Sequence, residues 1–256
     1  MPSRYLETLT WPEAELALLE LPTVLLPLGA RTKEHGRHLP LNNDWRIAEY
    51  LAKRVAEQCP VLVLPTLQYG YYPAFLQYPG SISVRAEACR DTVVDICRSL
   101  SAQGGQRFYV LNTGISTNRP LDAARTLLQE QGIRMEFTDI RTAYAPLRRQ
   151  VETQPAGTHA DEIETSMMLY IAPEIVRIDQ AERDIHPDRG PGGLTRDPEA
   201  ETGVYSPTGA YGDPTLATRE KGEIVVEGMV QYLVQHIQGL SLEHVRTAPA
   251  TLPSRQ

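Results

Sequence analysis

The sequence predicts an α/β protein, a three-layer α/β/α sandwich around a mostly parallel central sheet. Four short apolar runs read as strands, and helical patterns lie between them, an alternation that favours a parallel sheet with helices on both faces. The first three runs are almost continuously apolar, which is typical of strands covered on both faces. The four predicted strands are TVLLPLG (23–29), VLVLPTLQY (61–69), RFYVLN (107–112) and MEFTDI (135–140).

Helices are predicted between the strands and near the end of the chain. In residues 44–58 the apolar positions recur every four residues, as on one buried helix face. Residues 87–105 end in a Gly pair, and residues 120–132 begin with Pro and close with Gly, which are usual helix-end signals. A final helix is expected from about residue 218 to residue 239.

The chain shows no linker, charge run or internal repeat that would divide it. Residues 1–246 are therefore predicted to form a single domain, followed by a flexible C-terminal tail at 247–256. Residues 186–214 are crowded with Pro and Gly and lack periodicity. A loop of this length is expected to be a functional lid, an oligomer contact or a disordered segment.

Composition excludes several classes of protein. The formal net charge of −7 argues against nucleic-acid binding, which needs a basic surface. Acids interrupt the N-terminal apolar stretch, against a signal peptide, and no apolar run approaches the ~20 residues of a membrane span. The three cysteines lack paired or metal-type spacing, as in reduced proteins. A cytoplasmic protein without nucleic-acid or membrane partners is predicted.

Polar residues follow the first predicted strand, at the edge where parallel sheets bind ligands. The stretch KEHGRHLPLNND (33–44) contains His35, His38 and Asp44. Each is ambiguous alone, because Asp44 could cap the following helix and His38 could be a buried structural histidine. Their joint position at the sheet edge makes them candidates for a binding site.

A second polar group lies in THADEIETSMMLYIAPEIV (158–176). Thr158 and Asp161 predict a helix start, with His159 in its first turn. Glu164 shares the apolar helix face, so its carboxylate needs a metal, a hydrogen-bond donor or a salt bridge to an arginine, unless this edge of the helix is turned toward solvent. Taken with the first stretch, His, Asp and Glu donors suit Zn²⁺ or Mn²⁺, and His159 could shuttle protons.

These stretches resemble the motifs of the creatininase (creatinine amidohydrolase) family. LPLGARTKEHGRHLPLNND resembles the family pattern LPxGSxEQHGPHLPLxTD, and HADEIETS resembles HAGxxETS. FLQYPGSIS and SPTGAYGDPTLATREKGE are similar to two further family segments, so the resemblance spans about residues 20–240. It implies a three-layer fold, often in a hexamer, with a two-metal site that hydrolyses non-peptide C–N bonds.

The resemblance also implies roles for individual residues. It makes His35 a metal ligand and Asp44 the carboxylate that bridges two metals. His159 corresponds to the catalytic histidine, and Glu164 corresponds to a motif glutamate that can be a ligand or take part in catalysis. Glu34, next to His35, is a candidate for the ligand position of a shifted family glutamate.

Two positions depart from the family pattern. The family's ligand Glu corresponds to Lys33 here, and its NGHGGN or NGHxEN motif is replaced by NTGISTN (112–118), with Gly114 at the histidine position. Both departures remove ligands of the same ion, so a reduced site with one Zn or Mn ion is predicted. A further hypothesis is that the Lys33 ammonium lies where the lost cation would be.

The sequence therefore predicts a metal-dependent hydrolase of a non-peptide, cyclic amide-type C–N bond in a small metabolite, assembled as a homo-oligomer such as a hexamer. An inactive family member that serves as a binding or assembly protein is the alternative. The substrate-binding candidates are Tyr69, Tyr71, Tyr72 and Asn112. Aromatic walls suit a flat ring, although the tyrosines could equally pack the loop or a subunit interface.

Overall fold

The centre of the fold is a parallel sheet. The computed structural model describes residues 2–247. Its five main strands are Arg4–Tyr5 (β1), Val24–Leu28 (β2), Leu62–Val63 (β3), Arg107–Asn112 (β4) and Arg134–Phe137 (β5). All neighbours pair in parallel, in the spatial order β1–β3–β2–β4–β5. The predicted parallel sheet is confirmed, with one edge strand, β1, that the sequence did not predict.

Seven α-helices flank this sheet within the described residues. They are Trp11–Glu20 (α1), Asn43–Gln58 (α2), Ala86–Ser101 (α3), Asn118–Gln129 (α4), Ile140–Val151 (α5), Glu162–Ile171 (α6) and Arg219–Thr247 (α7). The buried side chains of α2, α5, α6 and α7 pack on one face, and those of α1, α3 and α4 pack on the other. The predicted α/β/α sandwich is therefore confirmed.

Side chains of the central strands pack against both helix layers, because successive side chains point to opposite faces of the sheet. In β2, Leu25 packs with α2 and α7, whereas Leu26 packs with α1 and α3. In β4, Tyr109 packs in the layer of α2 and α7, and Phe108 packs in the layer of α1 and α3. Every residue of both strands is buried, which explains why their sequences are apolar without alternation.

Some predicted boundaries were wrong. Of the predicted strand 61–69 only the first part forms a ladder, because Pro65 has no N–H to donate. The chain rejoins β2 further on through an isolated bridge between Leu28 and Leu67. The strand predicted to reach Ile140 stops at β5, since Asp139 caps α5 by accepting a hydrogen bond from the Arg141 N–H.

The C-terminal part differs from the prediction in two respects. Helix α7 continues well past the predicted end at residue 239, so residue 247 is helical; 248–256, the remainder of the predicted tail, lies outside the described residues. The segment 186–214, predicted to be irregular, contains the paired short strands Leu194–Thr195 (β6) and Val204–Tyr205 (β7). Among residues 2–247 no helix is both long and apolar enough to span a bilayer. The single-domain boundary stays a prediction.

Candidate active site

The order of the strands makes the carboxyl ends of β2 and β4 the expected binding edge of the sheet. From β2 the chain crosses to β3 on one side, then returns past β2 to β4 on the other. Such a switch point leaves a crevice between the loops that follow the two strands. A cavity of about 710 Å³ lies there, walled by residues from these loops, from 72–75, from α5 and from 188–194.

Asp44 lines this cavity from the first turn of α2. Its Oδ2 lies 2.7 Å from the Lys33 ammonium, and its Oδ1 lies 2.7 Å from Nε2 of His35. Burial alone would raise the pKa of Asp44, but the Lys33 ammonium and His35 hold it well below its ordinary value. Asp44 is therefore an ionised, buried carboxylate, and the possibility that it is merely a helix cap is not supported.

His35 is held in one tautomer by the backbone. Its Nδ1 lies 2.9 Å from the Lys33 carbonyl oxygen, which can only accept, so Nδ1 carries a proton. Nε2 then faces the Asp44 carboxylate, and these two electron-rich atoms at 2.7 Å need a shared proton or a cation beside them. A ring nitrogen held by a backbone carbonyl, as Nδ1 is here, is the usual support of a histidine that binds metal through its other nitrogen.

Hydrogen bonds to Glu34 hold the imidazole ring of His159 in place. Its Nε2 donates to Glu34 Oε1 at 2.8 Å and lies 3.1 Å from the Glu34 carbonyl oxygen. Burial lowers the pKa of His159, but the Glu34 carboxylate outweighs this and raises it above its ordinary value. Nδ1 remains available, 3.7 Å from Glu164 Oε2. The pair can hold a proton at Nε2 and exchange another at Nδ1.

The predicted helical position of His159 was wrong. Helix α6 begins only at Glu162, and Asp161 caps it by accepting hydrogen bonds from the N–H groups of Ile163 and Glu164. His159 lies in the loop before the helix. Ala160 separates the two in a left-handed conformation, φ 46°, and its N–H donates to Glu164 Oε2 at 2.6 Å.

Not every predicted metal ligand lies in one cluster. Within residues 2–247, His35, His159 and Glu164 can each offer a ligand atom, and these atoms lie within 4.8 Å of one another. Asp44 joins this group through His35. Both Glu34 oxygens have other partners, because Oε2 accepts from the Gly36 N–H at 2.9 Å, so the structure gives Glu34 a different set of contacts from those of a ligand.

Only part of the predicted substrate-binding group faces the cavity. Tyr72 lines it, whereas Tyr69 and Tyr71 lie outside its wall, and Tyr69 is 52% exposed. The Asn112 amide is occupied within its own loop, where it donates to the Gly114 carbonyl and accepts from the Thr117 hydroxyl. Asn112 therefore shapes the loop after β4 and does not contact the cavity.

Helix α5 supplies cavity residues that sequence reasoning missed. Tyr144 and Arg148 both line the cavity. Arg148 also donates to Asp161 Oδ2 and to the Gly157 carbonyl, at 2.9 Å each, and so ties the cavity wall to the loop that carries His159. The signal was present, because Tyr144 and Arg148 lie four residues apart on a helical pattern, but Pro146 obscured it.

His38 has a structural environment. It is buried and its Nε2 lies 2.8 Å from the Thr165 hydroxyl. Burial, with a further contribution from His35, lowers the pKa of His38 to about 4. It is therefore neutral near pH 7, and it joins the loop after β2 to helix α6, in line with the structural alternative for this residue.

Similarity to known proteins agrees with this geometry. Residues 7–237 match the family model "Creatininase: Creatinine amidohydrolase". The chain is 32% identical over 230 residues to a mycofactocin precursor peptide peptidase of Mycobacterium tuberculosis (strain CDC 1551 / Oshkosh), with 84% of each chain covered. It is 29% identical over 256 residues to a creatinine amidohydrolase of Pseudomonas putida, with 92% of this chain and 96% of the relative covered.

Solved structures give the same assignment. One described as "Creatininase Mn" superposes with a TM-score of 0.75 and 28% identity, covering 93% of this chain and 98% of the other. Structures of this group carry manganese or zinc by their descriptions. The expected family, fold and enzyme class are confirmed: the chain belongs to the creatininase family of amidohydrolases.

Proposed function

We propose that the protein hydrolyses a non-peptide, cyclic amide-type C–N bond in a small metabolite at the cavity beside β2 and β4, with one divalent ion. The observation that carries this proposal is the position of Asp44, His159 and Glu164 on the wall of one cavity. His35 is fully buried beside them, with Nε2 2.7 Å from Asp44 Oδ1. The cavity volume of about 710 Å³ suits a small molecule. The name of the creatinine amidohydrolase relative supports a cyclic amide.

The residues present fit one ion. His35 Nε2 and Asp44 Oδ1 lie 2.7 Å apart with the His35 proton on the other nitrogen, so a cation beside them relieves their repulsion. Glu164 completes a set of nitrogen and oxygen donors that Zn²⁺ and Mn²⁺ accept. Such an ion supplies Lewis-acid polarisation of a carbonyl and a bound water whose pKa is lowered to about 7.

His159 and Glu34 handle the proton in this proposal. Glu34 holds the imidazole with its proton on Nε2, which leaves Nδ1 to take a proton and to deliver it to the leaving nitrogen. Burial raises the pKa of Glu34, but His159 outweighs this and lowers it, so Glu34 stays ionised and orients the ring. Glu164 is the carboxylate nearest to Nδ1 and stabilises its protonated form.

The aromatic wall suits a flat substrate. Phe75 packs against His159 with ring centres 4.5 Å apart, and Tyr72 lies on the same wall. These rings would bury a planar amide next to the proton-handling histidine and exclude water from it. Glycines 190, 192 and 193 also line the cavity, and Gly193 packs on the backbone of Ala74 beside Phe75, so the segment 188–194 is the proposed lid.

We also propose a cytoplasmic homo-oligomer. Trp11, Leu16 and Leu19 of α1 are 80%, 53% and 68% exposed, an apolar face that a second subunit would cover. The formal net charge of −7 supports the absence of nucleic-acid partners.

Metal analysis of protein purified without chelators or a His-tag tests the proposal. We expect about one Zn²⁺ or Mn²⁺ ion per wild-type chain and almost none in His35→Ala, because a metal site with too few donors loses its ion. His236→Ala removes an exposed histidine of α7 and should leave the metal content unchanged. No ion in the wild type, even after dialysis against Zn²⁺ or Mn²⁺, would favour the alternative of an inactive binding protein.

A second prediction concerns His159. On a panel of lactams and small amides, His159→Gln should lower kcat by about 100-fold, since proton transfer by a positioned side chain contributes at least this much. The metal content should stay at the wild-type value. His236→Gln is the matched control with full activity. Equal turnover by His159→Gln and the wild type would remove His159 from the mechanism.

A further inference from the structure

Each carboxylate oxygen of Asp44 has a close partner, which is either a positive group or a nitrogen that can bind a cation. Oδ1 faces His35 Nε2, where the proposed ion binds, and Oδ2 faces the Lys33 ammonium, both at 2.7 Å. A carboxylate that bridges two cations would have this arrangement of contacts. Here the second of the two positive groups belongs to the chain itself.

Lys33 is a buried residue of the site and is not a surface lysine. The residue is 5% exposed, and its ammonium lies 4.6 Å from the ring centre of Phe75 and 5.7 Å from that of Tyr72. Aromatic faces stabilise a desolvated cation. Together with Asp44, these rings hold the ammonium at the cavity wall, where Lys33 is one of the lining residues.

The nearby loop is closed to an additional ligand. A Cβ on Gly114 would lie 3.0 Å from the Thr117 hydroxyl oxygen and 3.1 Å from Cε1 of Tyr72. The space that a longer side chain at this position would need is therefore filled by the Tyr72 ring.

The charges of the cluster also balance with one ion only. Asp44, Glu34 and Glu164 are its carboxylates. One divalent ion and the Lys33 ammonium carry three positive charges, which match these three negative charges before any second proton on His35 or His159 is counted. A second divalent ion would leave two uncompensated positive charges in a buried site, which is unfavourable.

We propose that the Lys33 ammonium is the second cation of this centre: it neutralises Asp44 from the side opposite the divalent ion and prevents a second ion from binding. The inference rests on the proposed one-ion hydrolase site. Lys33 would then set the number of metal ions that the site binds. Because it lies on the cavity wall, Lys33 would also present a fixed positive charge to the substrate carbonyl.

The test is a titration of metal-free protein with Mn²⁺ and with Zn²⁺, followed by calorimetry and by metal analysis after gel filtration. The wild type should bind one ion and no second ion at millimolar Mn²⁺. Lys33→Glu replaces the ammonium by a carboxylate, so the net charge of the cluster falls by two units and it should bind a second ion at least about 100-fold more tightly than the wild type. Lys33→Gln, which is neutral, should give an intermediate affinity.

Lys53→Glu is the control, because it makes the same charge change at an exposed position of α2. It should behave as the wild type. Two ions in the wild type would overturn the inference, as would Lys33→Glu and Lys33→Gln variants that both stop at one ion. The latter result leaves the one-ion hydrolase intact, whereas a wild type that binds no ion overturns the proposed function itself.

Discussion

Metal-free Lys33→Met protein should be about 3–5 kcal/mol less stable to unfolding than the metal-free wild type. Lys33 and Asp44 form a buried ion pair with side chains 6% and 2% exposed, and the pair lies 2.7 Å apart. Methionine fills a similar volume but leaves the Asp44 carboxylate with one partner fewer. Urea unfolding followed by circular dichroism on chelator-treated protein measures the loss.

Two further variants separate the charge effect from simple loss of packing. Lys33→Met combined with Asp44→Asn should recover about 2 kcal/mol or more, since no isolated charge is then buried. Arg37→Met breaks an exposed pair with Glu182, with side chains 52% and 54% exposed, and should cost less than about 1 kcal/mol. A Lys33→Met loss as small as that of Arg37→Met would show that the buried pair contributes little.

Gly222→Ala should destabilise the protein by about 3 kcal/mol or more and reduce its metal content. A Cβ on Gly222 would overlap the carbonyl group of Ser166 in α6, and the backbone of a packed helix cannot yield as a flexible side chain can. Helix α6 carries Glu164, so displacing α6 from α7 also displaces a proposed ligand. Thermal unfolding and metal analysis of the same sample measure both effects.

Gly239→Ala is the matched control on the same helix. Nothing lies within 4 Å of a Cβ at this position. Alanine is the better helix former, so this variant should gain up to about 1 kcal/mol. If Gly222→Ala were also stabilising, the close approach of α6 and α7 at this point would not exist in solution.

Local pattern was sufficient for the two central strands but not for edge strand β1 or for all the helices. β2 and β4 were predictable because they are buried on both faces and therefore apolar throughout. Helix α5 was not predicted because Pro146 normally ends a helix, whereas here the surrounding packing retains it. Within α5, Tyr144 and Leu147 pack against the core that includes α6 and α7. The local sequence does not reveal this tertiary contact.

In the site, spacing and family resemblance identified residues but not their partners. His35 and Asp44 do meet, as the sheet-edge argument required. Glu34 was assigned to a metal because it is adjacent to His35 in sequence, yet its side chain contacts His159, 125 residues away. Such a contact depends on the whole fold. The partner of Lys33 was similarly uncertain until its ammonium was found beside Asp44.

The Lys33–Asp44 pair has a consequence for how the protein responds to its surroundings. A bound ion can be chelated, diluted away or exchanged for the wrong element when the supply of trace elements changes. An ammonium attached to the backbone is subject to none of these losses, and every newly made chain carries its own. Starvation for zinc or manganese would therefore remove only part of the positive charge on which this centre depends.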